Sequence, residues 1–149
     1  MLRELQTLAH ELRIAGSVSF TGFISQEQLR EIYYRSHIFL HPSQTGRDGN
    51  QEGIPNSMLE AMATGLPVVA TTHGGIPEAV THEQTGLLVP ERDPAALHAA
   101  LKQLTSDSEW LYVLGQAASR AVRDEFEQTK QIEKLEGFYN EARAESEKE

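Results

Sequence analysis

The sequence predicts an α/β fold, a parallel sheet covered by helices. Three observations predict it. Short apolar runs such as Pro67-Val68-Val69-Ala70-Thr71 alternate along the chain with stretches whose apolar residues recur at helical spacing. Turn and cap residues fall between them, with Gly65, Gly74-Gly75 and Asp93-Pro94 as the clearest punctuation. The chain has 149 residues, of which 39% are apolar, so one core can be buried without disulfides or metals.

The elements read as follows. Leu2, Leu5, Leu8 and Leu12 mark a first helix, with Gly16 as its stop. Ser17-Val18-Ser19-Phe20-Thr21 alternates like a strand. Ser25 with Gln28 three residues on is a capping-box signature, and Leu29, Ile32 and Tyr33 supply the face of the helix behind it. His37 to His41 is a short strand. A loop rich in Gly, Asp, Asn and Gln runs from Pro42 to about Asn56, and a helix follows from Ser57 to Thr64, closed by Gly65. Pro67–Thr71 is a buried strand, Pro77 opens a short helix and Gly86–Val89 is the fourth strand. Asp93-Pro94 caps a helix with Leu97, Leu101 and Leu104 as its stripe. Helices over 108–122 and 127–142 follow, and the charged tail at 144–149 is expected to fray. Residues 1–143 read as one domain. Four strands with a helix in front is fewer than a doubly wound nucleotide-binding domain usually shows, so the first strands look missing and a sheet edge is expected to be uncovered.

Composition removes several functions. Thirteen Lys and Arg against twenty-two Asp and Glu give a net charge of −9, which disfavours a nucleic-acid backbone or an anionic membrane as the main partner. There is no cysteine, so a disulfide framework, a thiolate metal site and a cysteine nucleophile are excluded. No apolar run reaches the ~20 residues of a membrane span. The expected location is cytoplasmic.

The informative stretch is Gln51-Glu52-Gly53-Ile54-Pro55-Asn56-Ser57-Met58-Leu59-Glu60. It carries a loop from the carboxyl end of a strand into a helix N-terminus, the edge at which open α/β sheets bind ligands. Such a terminus offers unpaired N–H groups and partial positive charge to a phosphate. Gly53 lets a ligand approach the backbone, and Pro55 stiffens the entry. Each carboxylate, Glu52 and Glu60, can accept two hydrogen bonds side by side, as a pair of sugar hydroxyls requires. Two of them flanking a phosphate site suit a nucleotide-sugar. The plainer readings are that Glu60 closes a capping box with Ser57 and that Glu52 is a solvated loop carboxylate. Met58 and Met62 read as core.

With these residues the chain resembles the donor-binding half of the two-domain group-1 glycosyltransferases, also called glycosyltransferase family 4. The resemblance spans about Leu2 to Ala142. It rests on ordered motifs: Val18-Ser19-Phe20-Thr21-Gly22-Phe23, Phe39-Leu40-His41-Pro42-Ser43, Glu52-Gly53-Ile54-Pro55 with Glu60 eight residues after Glu52, Ala61–Thr71, Gly74-Gly75-Ile76-Pro77-Glu78, and Thr85–Val89. The insertion Thr45–Asn50 is similar to the bacterial exopolysaccharide branch, the colanic-acid type.

The resemblance implies a Rossmann-like C-terminal domain of a GT-B enzyme. It implies glycosyl transfer from a nucleotide-sugar, with a UDP-sugar preferred, with retention of configuration and without a metal or other cofactor. Glu52 is then the catalytic-site residue that binds donor-sugar hydroxyls, and Glu60 binds the ribose. Gly53, Ile54, Pro55, Asn56 and Ser57 hold the sugar and diphosphate, and Phe23 and Ile24 lie beside the base. The partners implied are an N-terminal acceptor domain and a lipid-linked saccharide acceptor, with the complete enzyme peripheral to the inner membrane. The family's phosphate-binding Arg and Lys lie on segments that match nothing here. The chain is therefore expected to be inactive alone and to self-associate. The alternative is a truncated, non-catalytic nucleotide-sugar-binding or interaction module.

Other signals carry less. His37 and His41 flank a strand, and four residues of strand span about 13 Å, too far to share a metal. Asp48, Asn50 and Glu52 echo a calcium loop but lack its glycine and terminal glutamate. Glu78 suits a helix N-terminus. His73 either faces the sugar or sits on a solvated loop.

Overall fold

The computed structural model describes residues 2–146, which form two compact units, residues 2–32 and 33–146. In the first unit α1 spans Leu2–Glu11 and buries Ala9, while Leu2, Leu5, Leu8 and Leu12 remain exposed. Its stop is Arg13, not Gly16. Arg13 takes a left-handed φ of 57°, its N–H bonds the His10 carbonyl at 3.0 Å, and the Ile14 N–H bonds the Ala9 carbonyl at 2.9 Å. Those two bonds are the Schellman closure, made here without glycine.

The strand expected at Ser17–Thr21 is absent. A 3-10 turn covers Ala15–Ser17, and 18–21 are irregular. Alternation marks which side chains could share a face, but a strand also needs a neighbour for its backbone. The Ser17 N–H instead bonds Ile14 at 2.8 Å. α2 spans Gln26–Arg35 and begins with the anticipated capping box, Ser25 N–H to Gln28 Oε1 at 2.9 Å and Gln28 N–H to Ser25 Oγ at 3.2 Å.

The second unit contains a three-stranded parallel sheet of order β1-β2-β3, where four strands were expected across the chain. β1 is Phe39–His41, β2 is Val68–Thr71 and β3 is Gly86–Val89. Phe39 pairs with Val68 and Val68 with Gly86, so His41, Thr71 and Val89 end together at one carboxyl edge. β2 is buried throughout, as the central strand of a sheet covered on both faces must be. Val68 and Ala70 pack with Met58 and Met62 of α3 (Asn56–Ala63) and with Ile76 and Ala79 of α4 (Ile76–Ala79). Val69, Leu87 and Val89 pack on the opposite side with Ala100 and Leu104 of α5 (Pro94–Ser106). α6, Ser108–Glu125, serves both layers, Ala118 in one and Leu114 in the other.

Two junctions fix α3, the helix that follows the long loop. Gly65, at φ 87°, closes it with the Leu66 N–H on the Ala61 carbonyl at 3.2 Å. Gly115 of α6 then lies so close that a methyl group there would overlap the Gly65 carbonyl oxygen. α5 and α6 start on aspartate caps, Asp93 accepting from the Ala96 N–H at 2.8 Å and Asp107 from the Trp110 N–H at 2.9 Å. α7 spans Gln128–Ser146, so helix continues into the tail expected to fray, and residues 147–149 lie outside the described residues.

Candidate functional site

All three parallel strands deliver loops to the same carboxyl edge: residues 42–55 after β1, 72–75 after β2 and 90–93 after β3. Open sheets of this kind place ligands at that edge. Between the first loop and His73 lies a hollow of ≈ 510 Å³ with Ser43, Asn50 and Glu52 on its wall. Glu60 is not part of that wall.

The Glu52 carboxylate is held at its tip. Oε1 lies 3.0 Å from His41 Nε2 and accepts a short hydrogen bond from the Ser43 hydroxyl. His41 Nε2 and Ser43 Oγ are themselves 3.0 Å apart. The Ser43 hydroxyl first, then the His41 ring, lower the Glu52 carboxyl below its ordinary range. The residue remains 43% exposed in its side chain, so the carboxylate is oriented yet open. It is therefore not a freely solvated loop side chain.

Its backbone is held as well. The Gly75 N–H donates to the Glu52 carbonyl at 3.2 Å, and the Glu52 N–H points at His73 Nε2, 3.5 Å away. A Cβ on Gly53 would meet nothing within 4 Å. The protein's own close approach is at the neighbouring turn. A methyl group on Gly74 would overlap the Glu52 carbonyl oxygen, and one on Gly75 would lie 2.8 Å from the Gly53 carbonyl carbon.

Glu60 is oriented differently. The capping box with Ser57 does not form: α3 has Pro55 at its N-cap and no side-chain cap. Ser57 sits inside the first turn, too far along to cap it. Instead the Tyr33 hydroxyl donates to the Ser57 carbonyl at 3.1 Å and approaches Glu60 Oε2 at 3.4 Å. Tyr33 is buried at 5% exposure, and burial, then the Glu60 charge, raise its phenol above the ordinary value. Met58 and Leu59 take the Pro55 carbonyl as acceptor for their N–H groups. The start of α3 is thus free of a side-chain cap, with Glu60 one turn inside it. Phe23 and Ile24 lie in the first unit, where Phe23 is fully exposed.

Several contacts at this edge were not foreseen from the sequence. His73 is buried at 3%, not on a solvated loop, and its Nδ1 lies 2.8 Å from Glu91 Oε1. Glu91 also accepts from the Thr45 N–H at 2.8 Å and the Thr45 hydroxyl at 2.9 Å. The Thr45 N–H first, then His73, then the Thr45 hydroxyl, lower its carboxyl to about 2. Tyr33, His41 and Ser43 each meet a glutamate at least 9 residues away in sequence. Among the described residues no group of three His, Asp or Glu side chains is placed to hold a metal.

Residues 1–121 match the family of glycosyl transferases group 1. The chain belongs to that family. Over 108 residues it is 44% identical to WcaL of Escherichia coli K12, named for colanic acid biosynthesis, covering 70% of this chain and 27% of WcaL. It is 40% identical over 125 residues to AmsK of Erwinia amylovora, an amylovoran biosynthesis glycosyltransferase, covering 84% of this chain and 31% of AmsK. This group 1 chain therefore spans about a third or less of these relatives. Among solved structures, sucrose-phosphate synthase from Thermosynechococcus elongatus superposes with a TM-score of 0.83 at 30% identity, over 95% of this chain and 34% of that one. Anabaena HepE, solved with UDP, superposes at 0.84 with 21% identity over 94% of this chain and 36% of its own, a likeness of fold. The group 1 chain has the α/β architecture of the GT-B glycosyltransferases.

Proposed function

We propose that the carboxyl edge of this sheet binds the nucleotide-sugar donor of a retaining glycosyltransferase that acts in bacterial exopolysaccharide assembly. Residues 1–143 are the donor-binding part. The observation that carries the reading is the start of α3: a helix N-terminus without a side-chain cap, with an oriented carboxylate on the loop before it and another one turn inside it. The diphosphate lies against the N–H groups of Gly53, Ile54, Asn56 and Ser57, where backbone donors and helix dipole favour negative charge. Glu60, set by Tyr33, accepts from the two ribose hydroxyls. Glu52, set by Ser43 and His41, accepts from hydroxyls of the transferred sugar. An ionised carboxylate is the acceptor both tasks need, and the lowered Glu52 carboxyl supplies it.

The same residues contribute to transfer by placement. Holding the sugar by its hydroxyls fixes its anomeric carbon relative to the diphosphate, and N–H groups aimed at the leaving phosphate stabilise the charge that develops there. In the complete protein the partners are an N-terminal acceptor domain and a lipid-linked saccharide, at the cytoplasmic side of the inner membrane. The colanic-acid and amylovoran names of WcaL and AmsK support the polymer class. The purified 149-residue chain is expected to bind donor weakly and to transfer nothing measurable.

Backbone amide shifts followed by NMR during titration with UDP, UDP-glucose, GDP and GDP-mannose test the reading. The expected shifts cluster at residues 52–60 for one nucleotide class. Shifts centred away from the start of α3 would contradict it. The GDP-mannose arm is included because a relative 35% identical over 117 residues, from Mycobacterium tuberculosis, is named as GDP-mannose-dependent.

A further inference from the structure

The donor reading uses Glu52 and Glu60 and leaves a second pair, His73 and Glu91, without a task. His73 is nearly inaccessible, and Thr71 beside it is 4% exposed. A buried imidazole needs partners for both ring nitrogens. Both are supplied. Nδ1 is 2.8 Å from Glu91 Oε1, and Nε2 is 3.5 Å from the Glu52 backbone nitrogen. A peptide N–H can only donate, so Nε2 is the acceptor and the ring proton sits on Nδ1, toward Glu91. The carboxylate therefore selects the tautomer that can hold Glu52.

Glu91 is itself immobilised. Two donors of Thr45 reach it, and the neighbouring Arg92, at a left-handed φ of 58°, donates from Nη2 to the Thr45 carbonyl at 3.0 Å. Thr71 adds a further tie, its hydroxyl donating to the Ser43 carbonyl at 2.6 Å. One residue past His73, Gly74 packs on the Glu52 carbonyl, and Gly75 donates to it. The N–H and the C=O of Glu52 are thus both taken by the 73–75 turn. These contacts end on the backbone of Glu52, a wall residue of the hollow.

We infer that His73 and Glu91 are positioning residues for the donor sugar: the His73 ring, oriented by Glu91, holds the Glu52 backbone and so sets the Glu52 carboxylate against the sugar hydroxyls. The inference rests on the reading of Glu52 as the sugar-binding carboxylate.

The test has a ligand-free arm and a ligand arm, both on the purified chain. In the first, imidazole ¹⁵N NMR reads the His73 tautomer. Protonation at Nδ1, lost or mixed in Glu91→Gln, is expected, and a proton on Nε2 in the wild type overturns the inference. In the second, Kd is measured for UDP and UDP-glucose, and for GDP and GDP-mannose, in the wild type, Glu52→Gln, His73→Leu, His73→Gln and Glu91→Gln. For the nucleotide class that binds, Glu52→Gln, His73→Leu and Glu91→Gln should each lower the ratio Kd(diphosphate)/Kd(sugar-diphosphate) by about tenfold, as for loss of a hydrogen bond to a charged group. The diphosphate Kd itself should stay within about twofold, because the start of α3 is untouched. His73→Gln, which can present an oxygen where Nε2 lay, should recover part of the ratio. If no nucleotide binds, or Glu52→Gln leaves the ratio unchanged, the reading of Glu52 fails and the positioning role falls with it. If Glu52→Gln lowers the ratio while folded Glu91→Gln and His73→Leu do not, the positioning role alone is overturned. Should His73→Leu fail to fold, Glu91→Gln decides, because Glu91 is partly exposed.

Discussion

Individual side chains at this edge are held in pairs whose chemistry makes distinct predictions. Tyr33 donates to the Ser57 carbonyl from a buried position, so Tyr33→Phe removes one hydrogen bond to α3 and the hydroxyl that approaches Glu60. The expected loss is about 1 kcal/mol in chemical denaturation, with weaker nucleoside diphosphate binding because Glu60 loses its guide. Unchanged stability and binding would show that the hydroxyl is dispensable. Glu91 gives a pH signature. Its carboxyl is lowered from 4.5 to about 2 in the fold, so folding favours the ionised form. The stabilisation is complete above about 4.5 and is lost as pH falls toward about 2. Melting temperature measured across that window should fall more steeply in the wild type than in Glu91→Gln, and parallel curves would contradict the pairing.

Helices and strands were legible to different degrees, for reasons visible in particular residues. Ser25 and Gln28, Gly65, and Asp93-Pro94 act locally, and each does in the structure what its type and spacing suggest. Ser17–Thr21 failed because a strand is a property of two segments, and alternation reports one. Arg13 was missed as a stop because glycine is the usual left-handed residue, and the chain places an arginine there. The site divides in the same way. Glu52 and Glu60 stood out through the loop-to-helix placement and the family motif. His73 and Glu91, 18 residues apart, meet because they follow the neighbouring strands β2 and β3, and no local pattern records that. The junction of α3 with α6 gives the matching prediction. Gly115→Ala would press a methyl group on the Gly65 carbonyl and should cost roughly 1–3 kcal/mol. Gly137→Ala, in α7 with open space around it, should instead stabilise by about 0.5–1 kcal/mol. Denaturant midpoints of the two variants moving in the same direction would contradict the packing described.

At the scale of the whole molecule, apolar surface and charge point to different properties. α1 exposes Leu2, Leu5 and Leu8, Leu12 is exposed just past its end, and α7 exposes Ile132, Leu135, Phe138 and Tyr139. Such surface favours association, so sedimentation velocity should show concentration-dependent self-association, and a monomer at every concentration would contradict it. With a net charge of −9, the diphosphate of the proposed donor would have to be held by local geometry against the overall field. That makes the start of α3 the decisive region, and one titration series tests it most directly: Kd for the nucleoside diphosphate and for its sugar form in the wild type, Glu60→Ala and Glu52→Ala. Glu60→Ala should weaken the diphosphate itself by ~1–3 kcal/mol, the cost of losing hydrogen bonds to a charged acceptor, while Glu52→Ala should spare the diphosphate and weaken only the nucleotide-sugar. Equal effects of the two substitutions on both ligands, or none from Glu60→Ala, would contradict the assignment of one carboxylate to the ribose and the other to the sugar.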